Sequence, residues 1–422
     1  MLALDKGGTD LRGSSRSKIH ILNDTPHRYE LWDLLDFCNK YNRLYICGAS
    51  ARQEELLKFF DMCSINIEGY TVTQPSEQNL SYRQLPIVAV DELIKQPNVG
   101  IIMGVYDYHY RSFIPRFRKA GFDSYFTLTE YSKNTIIEQI MPRPLEEMTF
   151  EVSLADHCNL SCQMCDHYSQ LSPEWFVDMN TFERDMVQMG KLFNHTIAAI
   201  TLVGGEPALH KDIIKCMEIT RREFPSGELI ILTNGLLLLD LENSEAGNFW
   251  EACKRLSFYI TVTVYPIKFD YASLEKKAKE YGVILAMSSN IHADELTDIT
   301  KVMDKHTMDL TGNAEVTGFI SCAYFNKFNV LREGRFYMCP VQAHINIFND
   351  YFKQDLKLTD ADSLDIYKAN SWEELSAFAA KRVPFCGYCD MKNWRAYSVW
   401  KASTKKIDEY VDSYSNGGEA HV

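Results

Sequence analysis

The sequence predicts an α/β fold: a partial (β/α)6 TIM-like barrel, preceded by a Rossmann-like α/β domain and followed by a small C-terminal β-hairpin/helix module. Three observations predict it. Short apolar runs rich in β-formers alternate twice along the chain with helical patterns, as parallel sheets do. Two prolines in "MPRPLEEM", residues 141–148, separate the two alternations. From about residue 314 the alternation gives way to a hairpin pattern around the turn "REGR".

At 422 residues the chain exceeds one ordinary core. The patterns divide it into a polar N-terminal segment (1–30), the Rossmann-like domain (31–142), the barrel (143–313), the module (314–400) and a polar tail (401–422). In the first domain "RLYICGAS" reads as a strand entering a turn, "ARQEELLKFFD" as a helix, and "NIEGYTVT" and "NVGIIMGVY" as further strands. Its first turn holds only Gly48, where a dinucleotide fingerprint would show three spaced glycines, so nicotinamide binding is not expected. A scaffold role and binding of a nucleotide-linked group both stay open for it.

The barrel strands are "MTFEVSL", "AAITLVG", "ELIILTNG", "LSFYITVTVYP" and "GVILAMSS". Between the first two runs a helix is expected with Asn180 as cap and Glu183 three residues on, its Phe182, Met186, Met189 and Phe193 packing on the sheet. The helix "KDIIKCMEITRREF" ends at Pro225 and Gly227. About 170 residues are too few for eight units, which take about 250, but six in an open barrel fit. Barrel chemistry sits in the loops after strand ends. Both "LADHCNLSCQMCDHYSQLSP" (154–173) and "GGEPALH" occupy such loops.

Charge and composition narrow the function. With 44 Lys and Arg against 57 Asp and Glu, the net charge of −13 argues against a nucleic-acid partner. Residues 1–29 show no apolar signal core, and no run approaches the roughly eighteen apolar residues of a spanning helix, so a cytoplasmic protein without membrane contact is expected. The twelve cysteines then point to metal or catalytic thiols. Five of them, Cys38, Cys47, Cys63, Cys216 and Cys253, are scattered and read as small buried hydrophobes.

The other seven form two sets. Cys158, Cys162 and Cys165 can hold three corners of a cubane iron–sulfur cluster, leaving the fourth iron open; zinc completed by His157 or His167 is the rival. Cys322, Cys339, Cys386 and Cys389, on a hairpin and a C-x2-C loop, make a closed four-thiolate site, with structural zinc again the alternative.

C-x3-C-x2-C after the first barrel strand resembles the radical S-adenosylmethionine (radical SAM) enzymes. Its companions match in order: Gly204-Gly205-Glu206-Pro207 after the second strand, Thr233-Asn234-Gly235 after the third, and Thr261 and Thr263 on the fourth. The resemblance implies that the open iron chelates SAM, whose reductive cleavage yields a 5'-deoxyadenosyl radical that abstracts hydrogen from substrate. It also implies that Gly205 and Glu206 hold the methionine end, Met164 touches adenine, and Asn234 with Thr261 or Thr263 faces SAM or its ribose. Met164 departs from the aromatic often found at that position.

The second set is similar to the twitch module, which carries one auxiliary 4Fe-4S cluster, and lacks the further cysteines of the longer SPASM version. Together these features look like dehydrogenases and epimerases acting on alcohol carbons, and the chain resembles a branch associated with surface-polysaccharide biosynthesis. The implied substrate is a sugar or nucleotide-sugar, and the implied electron donor a flavodoxin or ferredoxin. A peptide-modifying maturase and a zinc-bound non-catalytic scaffold are the alternatives. For the general base or hydrogen donor the candidates are Tyr337, Arg335, His344 and Lys268.

Overall fold

The computed structural model describes residues 25–76, 80–245, 247–289, 303–314, 318–319, 322, 324–397 and 400–411. Most of the expected N-terminal segment, and the tail beyond residue 411, lie outside these described residues.

The first sheet contains β1 (Arg43–Cys47), β2 (Gly69–Val72), β3 (Ser81–Tyr82), β4 (Leu85–Ala89), β5 (Val99–Met103) and β6 (Tyr125–Thr127), in the order β3-β4-β2-β1-β5-β6. All neighbours pair parallel except β3 with β4. The two central strands are apolar along nearly their whole length, because helices cover both faces of a parallel sheet and leave no solvent side for alternation.

The second sheet contains β7 (Thr149–Ala155), β8 (Ala199–Gly204), β9 (Glu228–Thr233), β10 (Phe258–Val264) and β11 (Leu285–Ser289). A short strand, β12 (Met303–Met308), leaves it, and β13 (Val330–Arg332), β14 (Arg335–Tyr337) and β15 (Ser363–Asp365) rejoin it; β16 (Cys389–Tyr397) pairs antiparallel with β12. The order is β11-β10-β9-β8-β7-β13-β14-β15, and its first six members run parallel. The expected α/β partial barrel of six parallel strands is therefore present, but the sixth strand is placed differently from a simple repeat. It is β13, beside β7, and the hairpin that supplies it covers what would be an open sheet edge. The hairpin closes through Glu333 (φ 47°) and Gly334 (φ 75°), the two left-handed residues of a tight turn.

Alternation along β7 separates the two faces of the barrel sheet. Phe150 packs on Phe193 and Phe224 of the covering helices, with ring centroids 6.0 Å away in both cases, so Glu151 and Ser153 point to the other, inner face. Pairing carries this face across the sheet: Glu151 lies beside Thr201, Thr201 beside Ile230, and Ile230 beside Tyr259. One layer nearer the C-terminal strand ends, Leu232 lies beside Thr261 and Thr261 beside Ala286.

The helix Met179–Leu192 buries Phe182, Met186 and Met189 as expected, but its cap is Asp178 and not Asn180. The Asp178 carboxylate accepts from Thr181 N at 2.9 Å, so the chain turns helical two residues earlier than the capping-box pattern indicated. The five scattered cysteines are all buried, and burial pushes their thiols up, as for Cys38 at about 12. The expectation of a polar tail from residue 401 is corrected over its first part. Tyr410 and Val411 are buried, with Tyr410 packed among Tyr168, Phe348 and Phe352, because these rings exclude it from water.

Candidate active site

The triplet loop leaves the C-terminal end of β7 and is pinned by close backbone approach. A Cβ on Gly204 (φ 148°) would lie 2.2 Å from Ala155 O, and one on Gly205 2.0 Å from His157 O. Only glycine lets the turn after β8 press against the root of the cysteine loop. Gly205 N donates to Ala155 O at 2.6 Å and Glu206 N to His157 O at 3.1 Å.

Glu206 is 1% exposed, and its carboxylate accepts from Thr233 Oγ1 (2.6 Å), Asn234 N (2.8 Å) and Ala208 N (3.0 Å). Burial raises its pKa and these three donors oppose the rise. The GGEP and TNG motifs are thus one unit: the acid of the first ties down the backbone of the second. Asn234 then reaches the triplet loop, donating from Nδ2 to Asn159 Oδ1 at 2.6 Å and to Cys158 Sγ at 3.6 Å. The side chain of Glu206 is committed to protein donors, which leaves the backbone of this turn as its part facing the loop.

Cys162 receives the indole N–H of Trp400 at 3.1 Å and is also hydrogen-bonded by Tyr265, the residue following β10. Cys158 accepts from Leu160 N at 3.3 Å. Burial pushes the Cys158 thiol up to about 12. Met164, between the second and third cysteines, is buried and left-handed (φ 53°). Thr261 and Thr263 stand half-buried on the same inner face of β10.

A zinc ion would need its sulfur ligands close together. Around one zinc, Zn–S bonds of about 2.3 Å bring sulfurs to about 3.8 Å from each other. Among the described residues, neither the three triplet sulfurs nor the four of the second set form a group lying wholly within 4.8 Å. His157 Nδ1 is engaged, accepting from Trp175 N at 3.3 Å, and its ring abuts Phe176. Among the described residues, the compact set of potential ligands is Cys165, Asp166 and His167; His167 Nδ1 shares a hydrogen bond of 3.0 Å with Asp166, and its buried Nε2 has no hydrogen-bond partner. Cys322, Cys339, Cys386 and Cys389 line one apolar cavity together with Phe385 and Tyr324, so the hairpin and the C-x2-C loop converge as their spacing implied.

The four candidate bases separate. His344 is buried; its Nδ1 donates to Pro340 O at 2.9 Å, so Nε2 is unprotonated and accepts from Ser153 Oγ at 3.0 Å. Burial, with the neighbouring His167 and Arg332 charges, holds its pKa well below the usual range. With both nitrogens engaged, it fastens the module to β7. Arg335 donates to Ser363 Oγ at 2.6 Å, and Tyr337 also bonds Ser363; both belong to β14, beyond the barrel strands. Lys268 is exposed in the loop after β10. The structure therefore brings none of the four into the barrel interior as a free base.

The residue that sequence reading missed is Glu151. It faces the barrel interior, and its Oε2 is buried with no hydrogen-bond partner. Burial raises its pKa to about 7, against the pull of His167 and with the push of Asp166. A single acid within the apolar run "MTFEVSL" was the available signal.

Residues 149–280 match the family model described as a 4Fe-4S single cluster domain. A probable GTP 3',8-cyclase of Pyrococcus horikoshii is 36% identical over 108 residues, covering 25% of this chain and 32% of that relative. The GTP 3',8-cyclase of Peptoclostridium acidaminophilum is 30% identical over 131 residues, covering 30% of this chain and 38% of its own. The chain thus spans about a third of the length of the curated relatives it matches. Among solved structures, BtrN in complex with AdoMet and 2-DOIA aligns with 62% of this chain and 100% of its own at 15% identity and a TM-score of 0.37. Streptococcus suis SuiB bound to precursor peptide SuiA aligns with 74% of this chain and 78% of its own at 13% identity and a TM-score of 0.25. These two likenesses are distant. The span matched by the 4Fe-4S single cluster domain, residues 149–280, thus carries the triplet loop and the glycine pair locked against it on one partial barrel.

Proposed function

We propose that the protein is a radical SAM oxidoreductase that acts on a carbinol carbon of a sugar or nucleotide-sugar, with dehydrogenation as its outcome. The observation that carries this reading is the set of polar side chains, Glu151, Thr201, Tyr259 and Thr261, that stand among Ile230, Leu232 and Ala286 on the inner face of the sheet. Such a surface offers hydrogen bonds to a polyhydroxylated molecule, and an apolar one would not. The curated relatives are named for a reaction of GTP, which supports a nucleotide-bearing substrate.

A 4Fe-4S cluster on Cys158, Cys162 and Cys165 would supply reductive cleavage of SAM to a hydrogen-abstracting radical. The chain's own residues do the rest. The turn at Gly204-Gly205 and the Asn234 amide hold the loop that aims the open corner. Thr261 and Thr263, half-buried on the inner face of β10, would offer hydroxyls to the ribose of bound SAM. Glu151 takes the hydroxyl proton as the carbinol carbon is oxidised, a task suited to a carboxylate poised near neutral pH. Cys322, Cys339, Cys386 and Cys389 would hold a second 4Fe-4S cluster to receive the remaining electron, with a flavodoxin- or ferredoxin-type protein as the external donor.

The test uses anaerobically reconstituted protein with dithionite, SAM and ring-deuterated UDP- and GDP-hexoses. Deuterium in the released 5'-deoxyadenosine supports the assignment and locates the attacked carbon. Release of unlabelled 5'-deoxyadenosine from every sugar offered overturns the sugar reading, and release of none overturns the radical reading.

A further inference from the structure

The segment after β16 returns to the triplet loop and pairs with it. Gln163 N donates to Lys401 O at 2.9 Å, Ser403 N donates to Ser161 O at 2.8 Å, and Cys162 forms an antiparallel bridge with Ala402. The strap is fixed on its far side by Glu409. That buried carboxylate accepts from Ser403 Oγ at 2.7 Å and Thr404 Oγ1 at 2.6 Å, while Met308 N donates to Tyr410 O at 2.6 Å. Two side chains then converge on one sulfur: Trp400 Nε1–H on Cys162 at 3.1 Å, and the phenol of Tyr265, whose ring meets the Trp400 ring edge-on at 5.8 Å.

We propose that this strap is a tuning element of the triplet site, in which the Trp400 indole N–H, bonded to the Cys162 sulfur, raises the reduction potential of the cluster held there. The inference rests on reading the triplet as a cluster site. Its physical basis is general. A hydrogen bond to a ligating thiolate withdraws electron density from the iron and favours the more negative, reduced state. The fixed strap keeps that donor in place, and the Tyr265 ring packs edge-on against the Trp400 ring beside the same sulfur. Trp400 acts on the cluster through its ligand and is a positioning residue.

The test is Trp400→Phe, which keeps an aromatic ring and removes the N–H, in full-length reconstituted protein. The readout is an EPR-monitored redox titration of the iron signal that changes when SAM is added. The expected result is a midpoint shifted to more negative potential at unchanged iron content, with Tyr265→Phe shifting it in the same direction. An unchanged midpoint in Trp400→Phe overturns the proposal, as does loss of iron in that variant with the wild-type midpoint kept by the remaining sites. Wild-type protein carrying 15N-indole tryptophan gives a measurement free of folding effects. A 15N coupling to the SAM-responsive cluster supports the contact, and its absence overturns it. If no iron signal responds to SAM, the cluster reading itself fails and takes the inference with it.

Discussion

Glu151 carries an energetic cost at the residue where the proposed reaction needs a base. Its folded pKa of about 7 lies above the ordinary value of 4.5, so between those two pH values the folded chain binds more protons than the unfolded one. Stability at this site therefore falls as pH rises through that window, and above it the cost is on the order of 3 kcal/mol. Glu151→Gln should raise the urea midpoint of the metal-free protein at pH 8 and leave it nearly unchanged at pH 4.5; equal midpoints at pH 8 would remove Glu151 as a strained buried acid. In the loaded enzyme the same variant should release 5'-deoxyadenosine from SAM but lose the limb of substrate oxidation that rises through pH of about 7. A pH profile superimposable on the wild type would assign the proton to another group. Cys162→Ala should abolish SAM cleavage, because one of three corners of the site is gone.

The elements are held by local chemistry that sequence patterns specify unevenly. The Met and Phe stripe of the helix Met179–Leu192 was legible because helical period and burial coincide there. Its cap was not, since Asp178 and Asn180 are both good caps and only the backbone path decides between them. Asp178→Ala should cost about 1 kcal/mol in chemical denaturation and Asn180→Ala only a few tenths; the reverse order would restore the original cap. At Gly205 an added methyl meets a carbonyl oxygen, and backbone on both sides cannot yield. Gly205→Ala should cost up to about 3 kcal/mol, and iron analysis after reconstitution should show the triplet site failing to fill.

Across the whole molecule, the two cysteine sets occupy different structural settings: one on a loop beyond a parallel strand, the other enclosed by a hairpin and a C-x2-C turn. Reconstitution of the wild type should give about eight irons per chain, and Cys386→Ala/Cys389→Ala about four, with SAM cleavage retained. Loss of cleavage in that double variant would mean that the second site is needed to start the radical and not only to receive an electron. By itself the sequence determined the strand alternation, five of the six parallel barrel strands and both cysteine sets, since periodicity and ligand spacing are local properties. It also placed the GGEP and TNG motifs at strand ends. The tertiary structure alone decided that Glu206 binds Thr233 and Asn234, that β13 closes the edge beside β7, and that Glu151 Oε2 is buried on the inner face without a hydrogen-bond partner. It alone brought Trp400 back across more than half the chain to Cys162. Such contacts depend on which surfaces meet when distant segments pack, and no spacing along the chain records that.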